Sequence, residues 1–149
     1  MFNAFSPRSG SASAYQRINV ETSMHTIDQH QIVSLLFKGL LESVVTARGA
    51  LARGDVAIKC KAISKAVRIL EEGLLTGLDR VDGGELAKTL ESLYEYCLHK
   101  LVLANAKNDD AMLQEVLRLL EPVAQAWDEM KKNPSAANAA YPATATAEV

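Results

Sequence analysis

The chain has 149 residues, a formal net charge of −2 and a hydrophobic content of 48%, with only 5% aromatic residues. This length suits one domain with an ordinary core, and the aliphatic composition favours helices over a β-sandwich. Charges of both signs are mixed along the chain without a basic stripe, which argues against nucleic-acid binding. Neither a signal-peptide pattern nor a bilayer-length apolar run is found, so we expect a cytoplasmic protein that does not insert into membranes.

The first 27 residues are rich in Ser, Ala and Asn and have weak periodicity, which predicts a flexible N-terminal arm (1–27). Within the arm, Tyr15, Ile18 and Val20 alternate with polar residues. These apolar side chains would let the arm lie in a groove of the folded domain, although an exposed tyrosine in such an arm is usually only exposed.

A first helix is predicted over about 28–53. Asp28 and Gln31 have the spacing of a capping box, and an apolar face begins directly after them. The positions of this face are Val33, Leu36, Phe37, Leu40, Val44, Ala47 and Leu51. Leu35, Leu41 and Val45 widen it beyond what one partner helix needs, so the helix is either central or keeps an apolar surface for a ligand.

A second helix is predicted over about 55–79, with Gly54 ending the first helix and Asp55 capping the second. Its apolar face consists of Ile58, Ala62, Ile63, Ala66, Val67, Leu70, Leu74 and Leu78. Lys59 falls with the charged residues that mostly occupy the other face. Gly73 and Gly77 either weaken the last turns or permit a close backbone approach there, and the pattern leaves both alternatives open.

A third helix, about 84–106, has two adjacent apolar stripes, so it should contact at least two other helices. Tyr94 and Tyr96 differ in direction by roughly 200° on a helix, so one should point inward and the other outward. We assign Tyr94 to the core.

A fourth helix is predicted over about 109–131, with Trp127 in the core. Pro122 interrupts its pattern, but the apolar periodicity continues in phase beyond it, which indicates one kinked helix rather than two. Residues 133–149 contain two prolines and many small residues, which predicts a disordered tail. Short loops force neighbouring helices to be antiparallel, so residues 28–132 should form an all-α, up-down four-helix bundle.

The sequence offers no constellation for catalysis. Cys60 and Cys97 lie in helical patterns without a CxxC motif, the three histidines form no ligand set, and no nucleophile elbow or phosphate loop is present. We therefore expect neither an enzyme nor a metal or cofactor site. A bundle with excess apolar helix surface suits a protein that binds another chain in a groove between helices.

Short segments recur in a characteristic order and spacing from Ala14 to Trp127. They are Ala14-Tyr15, Leu35-Leu36-Phe37-Lys38-Gly39, Ser64-Lys65-Ala66, Ile69-Leu70, Gly77-Leu78-Asp79, Gly83-Gly84-Glu85-Leu86, Leu93-Tyr94-Glu95-Tyr96, Leu101, Ala104-Asn105, Asn108-Asp109, Glu115-Val116, Leu119-Leu120 and Ala126-Trp127. In this order they resemble the FliS family of flagellar export chaperones, which are antiparallel helical bundles.

The resemblance implies a cytosolic chaperone with flagellin as its client. Such a chaperone binds the disordered C-terminal segment of flagellin, prevents premature polymerisation and delivers the client to the export gate of the flagellar type III secretion system. The alternative is a helical adaptor or regulator that binds another flagellar protein, including a regulator of flagellar gene expression.

Six apolar residues are candidates for partner binding. Tyr15 and Ile18 of the arm would dock reversibly in a groove that client helices also use. The groove would be formed by Leu41 and Val45 on the first helix and by Val67 and Leu74 on the second. Ordinary core packing explains each groove position about as well.

Overall fold

The computed structural model describes residues 28–130 and 140–141. Within these residues the chain is helical and contains no strand. Helix α1 spans Gln29–Arg53, α2 spans Val56–Arg68, α3 spans Gly84–Lys107 and α4 spans Asp110–Glu129. A π-helical segment, Ile69–Leu75, continues α2. The predicted four-helix bundle is confirmed.

Local capping fixes the ends of α1. The Asp28 carboxylate accepts from the Gln31 amide at 2.8 Å, and the Gln31 side chain accepts from the Asp28 amide at 3.2 Å, as the predicted capping box requires. The helix ends at Gly54, whose φ of 76° lies in the left-handed region that favours glycine. Asp55 follows and caps α2 by accepting from the Ile58 amide at 3.1 Å. With only two residues between them, α1 and α2 run antiparallel.

Polar side chains show how the four helices close into a ring. Ser34, near the start of α1, donates to Asp128 near the end of α4 at 2.9 Å, and Arg48 pairs with Asp110 at the other end at 2.7 Å. These two contacts show that α1 and α4 are antiparallel. Because α2 also packs against α1 and α3, and α3 against α4, the helices form a cycle in chain order.

The aliphatic core runs along the axis of this ring. The side chains with no exposed surface include Leu40, Val44, Leu70, Leu101, Leu113 and Leu120. Burying a side chain of this size contributes roughly 1.5–3 kcal/mol relative to leaving it in water. Tyr94 and Trp127 are buried as predicted, whereas Tyr96 is exposed.

The π-helical segment departs from the regular second helix expected from the sequence. Its wider turn is visible where the Thr76 amide bonds to the Glu71 carbonyl, five residues back, at 3.1 Å. A Cβ at Gly73 would lie 3.0 Å from the Leu36 side chain. Of the two roles left open for this glycine, the structure supports the close approach.

Helix α4 continues through Pro122 from Asp110 to Glu129, as predicted. Asp109 caps its start by accepting from the amides of Ala111 and Met112. Burial of the apolar face, which continues in phase past the proline, stabilises the helix by more than the missing hydrogen bond costs.

Lys59 was predicted on the charged face of the second helix, and that placement is wrong, because its side chain is only 2% exposed. Its Nζ donates to the main-chain carbonyl of Asn105 at 2.9 Å and to the Asn105 side-chain oxygen at 2.8 Å. Carbonyl groups in the last turn of a helix lack intrahelical partners and attract cations. The end of α3 therefore supplies the acceptors that allow this ammonium group to be buried.

Replacing Lys59 by alanine should lower the free energy of unfolding by about 1–3 kcal/mol, because two acceptors of Asn105 lose their partner. Urea denaturation of the variant measures the change. Lys65→Ala, at an exposed position of the same helix, is the matched control and should change stability by less than about 0.5 kcal/mol. Equal effects for the two variants would contradict a role for Lys59 at the end of α3.

Candidate functional site

The six candidate binding residues have different environments. Tyr15 and Ile18 lie outside the described residues. Leu74 has no exposed surface and belongs to the core. Leu41 and Val67 are half-buried against the core, whereas Val45 is 55% exposed.

Leu41 lies on the side of α1 that faces α4. Ser34, Leu41 and Arg48 are seven residues apart and therefore share one stripe of the helix. The first and last of them contact Asp128 and Asp110 of α4. Val45 is four residues after Leu41, so these two remain neighbours on the surface.

Val67 lies on the side of α2 turned away from the surface between α1 and α2. Lys65 helps to line a cleft between α1 and α2, and two residues along a helix turn the side chain by about 200°. The structure therefore does not bring Leu41, Val45, Val67 and Leu74 together in one groove, as the sequence analysis expected. The apolar pattern identified wide faces but could not assign each edge to a neighbouring helix.

The surface does contain a groove, which we call the α1–α2 cleft. It has a volume of about 250 Å³ and is lined by Glu42, Ser43 and Thr46 of α1 and by Ile58, Lys61, Ala62 and Lys65 of α2. Ile58 and Ala62 make part of the lining apolar, and the lysines combine apolar stems with charged ends. Since enclosed small-molecule sites usually have roughly 300–1,000 Å³, this cleft better suits individual side chains of a bound peptide.

Several large apolar side chains are exposed on the helices. They are Leu35, Val45, Val56, Ile58, Leu86, Tyr96 and Val102, together with Val81 in the turn before α3. Val45 precedes Thr46 of the cleft lining, and Ile58 belongs to that lining. Because successive residues of a helix point about 100° apart, Val45 lies beside the cleft, toward the α4 side of α1, and is not part of its lining.

A second site lies at the end of the bundle where α2 and its π-helical extension finish. Ala140 and Tyr141 belong to the tail that was expected to be disordered, yet both are buried, with Tyr141 only 1% exposed. The Asp79 amide donates to the Ala140 carbonyl at 3.0 Å, and the Tyr141 hydroxyl donates to the Leu74 carbonyl at 2.8 Å. We call the site that holds Tyr141, formed by Leu74, Tyr94 and Trp127, the terminal socket. The composition of the tail favours disorder, but its one aromatic side chain fits this socket.

Trp127 forms a wall of the terminal socket and is itself held on both sides. Its ring meets Tyr141 edge-on with a centroid distance of 5.4 Å and stacks on His30 at 4.9 Å. Its Nε1 donates to the His30 carbonyl at 3.1 Å, and the His30 Nε2 lies 2.6 Å from the Trp127 carbonyl oxygen. The start of α1 and the end of α4 are joined by these contacts.

The hydroxyl groups of Tyr94 and Tyr141 are 2.9 Å apart in the terminal socket. Burial raises the pKa of Tyr94 to about 12 and also raises the pKa of Tyr141. Both phenols therefore keep their protons at neutral pH. Because Tyr141 has one proton and the Leu74 carbonyl can only accept, Tyr94 donates the second hydrogen bond.

Sequence reasoning missed Tyr141. The available signal was its isolation, because it is the only aromatic residue in a 133–149 segment made mostly of small residues. Nothing local, however, indicates where such a side chain docks.

The two cysteines should differ in reactivity. Both are free; Cys60 is half-buried and Cys97 is buried within α3. Burial raises the pKa of the Cys97 thiol to about 12, and the thiolate is the reactive form. At pH 8 an aromatic disulfide reagent should label Cys60 at least about 100-fold faster than Cys97.

The absorbance of the released thiol measures these two rates. Cys60→Ser should remove the fast phase, and denaturant should make Cys97 react at the rate of an exposed thiol. Two equal rates in the native protein would contradict the burial of Cys97.

The described helices include none that is both long enough and apolar enough to cross a membrane. Across residues 28–130 and 140–141, no group of three or more His, Cys, Asp or Glu side chains is placed to hold a metal ion. These features define an antiparallel helical bundle with apolar surface beside a cleft and a piece of its own C-terminal segment bound at one end.

Comparison with known proteins identifies the family. Residues 11–134 match the family described as "Flagellar protein FliS". The "Flagellar secretion chaperone FliS" of Salmonella typhimurium is 39% identical over 122 residues, which cover 82% of this chain and 90% of that protein. "Flagellar secretion chaperone FliSB" of Pseudomonas aeruginosa is 41% identical over 114 residues, with 76% and 90% covered. The Escherichia coli FliS is 36% identical over 122 residues, with 82% and 90% covered. The chain belongs to the FliS family of flagellar secretion chaperones.

Proposed function

We propose that the protein binds the disordered C-terminal segment of flagellin in the cytosol. Bound in this way, flagellin is kept from polymerising and is delivered to the flagellar type III export gate. Family membership carries the proposal, because the relatives in Salmonella and Escherichia coli are named secretion chaperones. Their role is one of binding rather than catalysis, and we propose the same for this chain.

The physical basis of chaperoning is the covering of an association surface. Filament subunits associate through amphipathic terminal helices, so a chaperone that occupies one of these segments prevents association. An amphipathic helix needs a groove with apolar contacts. Ile58 offers one in the α1–α2 cleft, and the exposed Val45 offers another beside it. A client that becomes ordered on binding loses conformational entropy, which limits its affinity and favours release at the gate.

We place the client surface at the α1–α2 cleft, at Val45 and at the adjoining edge of Leu41. Leu74 is not part of this surface, because its side chain is enclosed in the core. Tyr15 and Ile18 remain proposed as reversible competitors of the client. Tyr15→Ala should then strengthen client binding, and unchanged affinity would contradict the competition.

The test is calorimetric titration with the C-terminal segment of flagellin from the same organism. We expect one-to-one binding with a negative heat-capacity change, which marks burial of apolar surface. Binding of a different flagellar protein, with none of flagellin, would replace this proposal by the adaptor alternative. Delivery is tested by whether the complex with flagellin binds the purified cytosolic domain of the export gate more tightly than the chaperone alone.

Two valines provide a matched pair that locates the client surface. Val45 of α1 and Val102 of α3 are both 55% exposed. Val45→Asp should weaken client binding at least about tenfold, equivalent to about 1.4 kcal/mol, because it places a charge in the apolar contact. Val102→Asp should change the affinity less than about twofold. Equal losses, or a larger loss for Val102→Asp, would place the client elsewhere.

A further inference from the structure

The terminal socket has the features of a peptide-binding site. Ala140 and Tyr141 enter it. The Tyr141 ring packs against Trp127, and main-chain groups of Asp79 and Leu74 form hydrogen bonds with Ala140 and with the Tyr141 hydroxyl. Ala140 and Tyr141 are buried members of the same apolar cluster as the side chains of the four helices, and they join it at one end of the bundle. Nine residues, 131–139, separate α4 and its Met130 cap from Ala140.

The polar groups of the socket are main-chain groups that the end of the second helix leaves without helical partners. The Leu78 amide bonds to the Leu75 carbonyl at 3.2 Å, and the Asp79 amide bonds to Ala140. Neither amide is therefore available to the Leu74 carbonyl, which accepts from the Tyr141 hydroxyl instead. The main chain of the socket thus presents one acceptor and one donor, and the Tyr94 hydroxyl adds a second donor, all of which an incoming peptide must match.

The shape of the socket selects for an aromatic ring. Trp127 meets the ring edge-on, and the Tyr94 hydroxyl reaches the Tyr141 hydroxyl. Gly77 lies beside the ring: a Cβ there would be at contact distance from the Tyr141 ring, 3.4 Å, and closer than an ordinary contact to the Gly73 carbonyl oxygen, 3.1 Å. A phenylalanine could enter but would leave the Leu74 carbonyl without its donor.

We propose that the terminal socket is a binding site for a peptide segment carrying a small residue followed by tyrosine, and that residues 140–141 occupy it reversibly. The contact consists of two docked residues and three hydrogen bonds, which is small beside the packing that holds the four helices together. Opening it uncovers the Trp127 ring and frees the Leu74 main-chain carbonyl without separating the helices. The tethered segment therefore covers an apolar surface that is free only while the segment is released.

Competition between residues 140–141 and the client rests on the proposed function. If a client segment also uses the uncovered surface, the C-terminal segment of the chaperone and the client compete. The competition would keep the socket closed in the absence of flagellin. Binding of the tail peptide itself does not depend on the identity of the client.

The test uses the full-length Tyr141→Ala protein and a synthetic peptide with the native sequence of residues 134–149. Trp127 is the only tryptophan in the chain, so its fluorescence reports on the socket directly. We expect saturable binding of the native peptide, binding weakened roughly 2- to 10-fold for the peptide with Tyr141→Phe, and no saturation for the peptide with Tyr141→Ala. The wild-type protein should bind the native peptide at least about tenfold more weakly, because its own segment is present at an effective concentration near millimolar.

Hydrogen exchange of the wild-type protein provides a second measurement. The Asp79 amide, which is bonded to Ala140, should exchange through local opening and much faster than core amides of α3. Exchange of Asp79 only through global unfolding would overturn the proposal. So would a Tyr141→Ala protein that fails to fold, or one that binds the three peptides equally or not at all.

Addition of the flagellin segment separates this inference from the proposed function. Tighter client binding by Tyr141→Ala than by wild type, with faster Asp79 exchange in the wild-type complex, supports competition. If neither protein binds flagellin while the tail peptide still binds, the client proposal fails and the socket stands. If flagellin binds both proteins equally and leaves Asp79 exchange unchanged, competition at the socket is overturned.

Discussion

Replacing Trp127 by alanine should lower the free energy of unfolding by about 3–5 kcal/mol, the range for removing a large buried aromatic side chain. Trp127 is 5% exposed and stacks on His30 while its Nε1 donates to the His30 carbonyl. The substitution also removes the wall against which Tyr141 docks. The start of α1, the end of α4 and the C-terminal segment therefore lose a shared contact. Urea denaturation followed by circular dichroism measures the loss.

Trp127→Phe is the control for this experiment. It retains an aromatic ring against His30 but removes the indole donor, so the destabilisation should be clearly smaller than for alanine. Denaturation midpoints that are the same for both variants would indicate that packing at Trp127 contributes little. That result would also contradict the view that the contacts among His30, Trp127 and Tyr141 stabilise this end of the bundle.

Replacing Leu74 by alanine should cost about 2–5 kcal/mol of unfolding free energy, because the side chain is fully enclosed and its removal leaves a cavity. The sequence left two roles open for this residue, core packing and partner binding. Its burial supports core packing. Leu74→Ala should therefore change stability strongly, while the folded fraction of the variant binds the client as tightly as the wild-type protein does. Thermal or urea denaturation gives the first quantity, and titration with the flagellin segment gives the second.

Val45→Ala is the matched comparison, since Val45 was assigned to the same groove but is 55% exposed. Its effect on stability should be less than about 1 kcal/mol, as for most surface substitutions, while client affinity decreases. The opposite result, a stable Leu74→Ala protein with weakened client binding, would return Leu74 to the binding surface. Comparing the two variants thus distinguishes an apolar residue that stabilises the fold from one that binds the client.

The residues that stabilise the bundle are distinct from those proposed to bind the client. Its enclosed core involves all four helices and, at one end, Ala140 and Tyr141, whereas the α1–α2 cleft opens on the surface. Changes at the cleft should therefore alter binding before they unfold the chain. Changes at Leu74 or Trp127 should do the reverse.

The sequence by itself determined the helices and most of their ends, because the relevant interactions are local. Asp28 and Asp55 cap helices through amides three residues ahead, and Gly54 provides the left-handed turn between α1 and α2. The inward placement of Tyr94 follows from helical periodicity, and the continuity of α4 through Pro122 follows from an apolar pattern that stays in phase. The family was also visible in the sequence as a series of segments in fixed order.

Only the tertiary structure decided which groups meet across helices. Lys59 is buried because the end of α3 presents the acceptors of Asn105, which lies 46 residues away in sequence. Leu41 and Val67 belong to different edges of the bundle because the apolar pattern specifies a helix face but not the neighbour that covers it. Tyr141 docks because Leu74, Tyr94 and Trp127 come together from three separate segments. Local sequence reports contacts three or four residues apart, whereas the cleft and the socket depend on the positions of whole helices relative to one another.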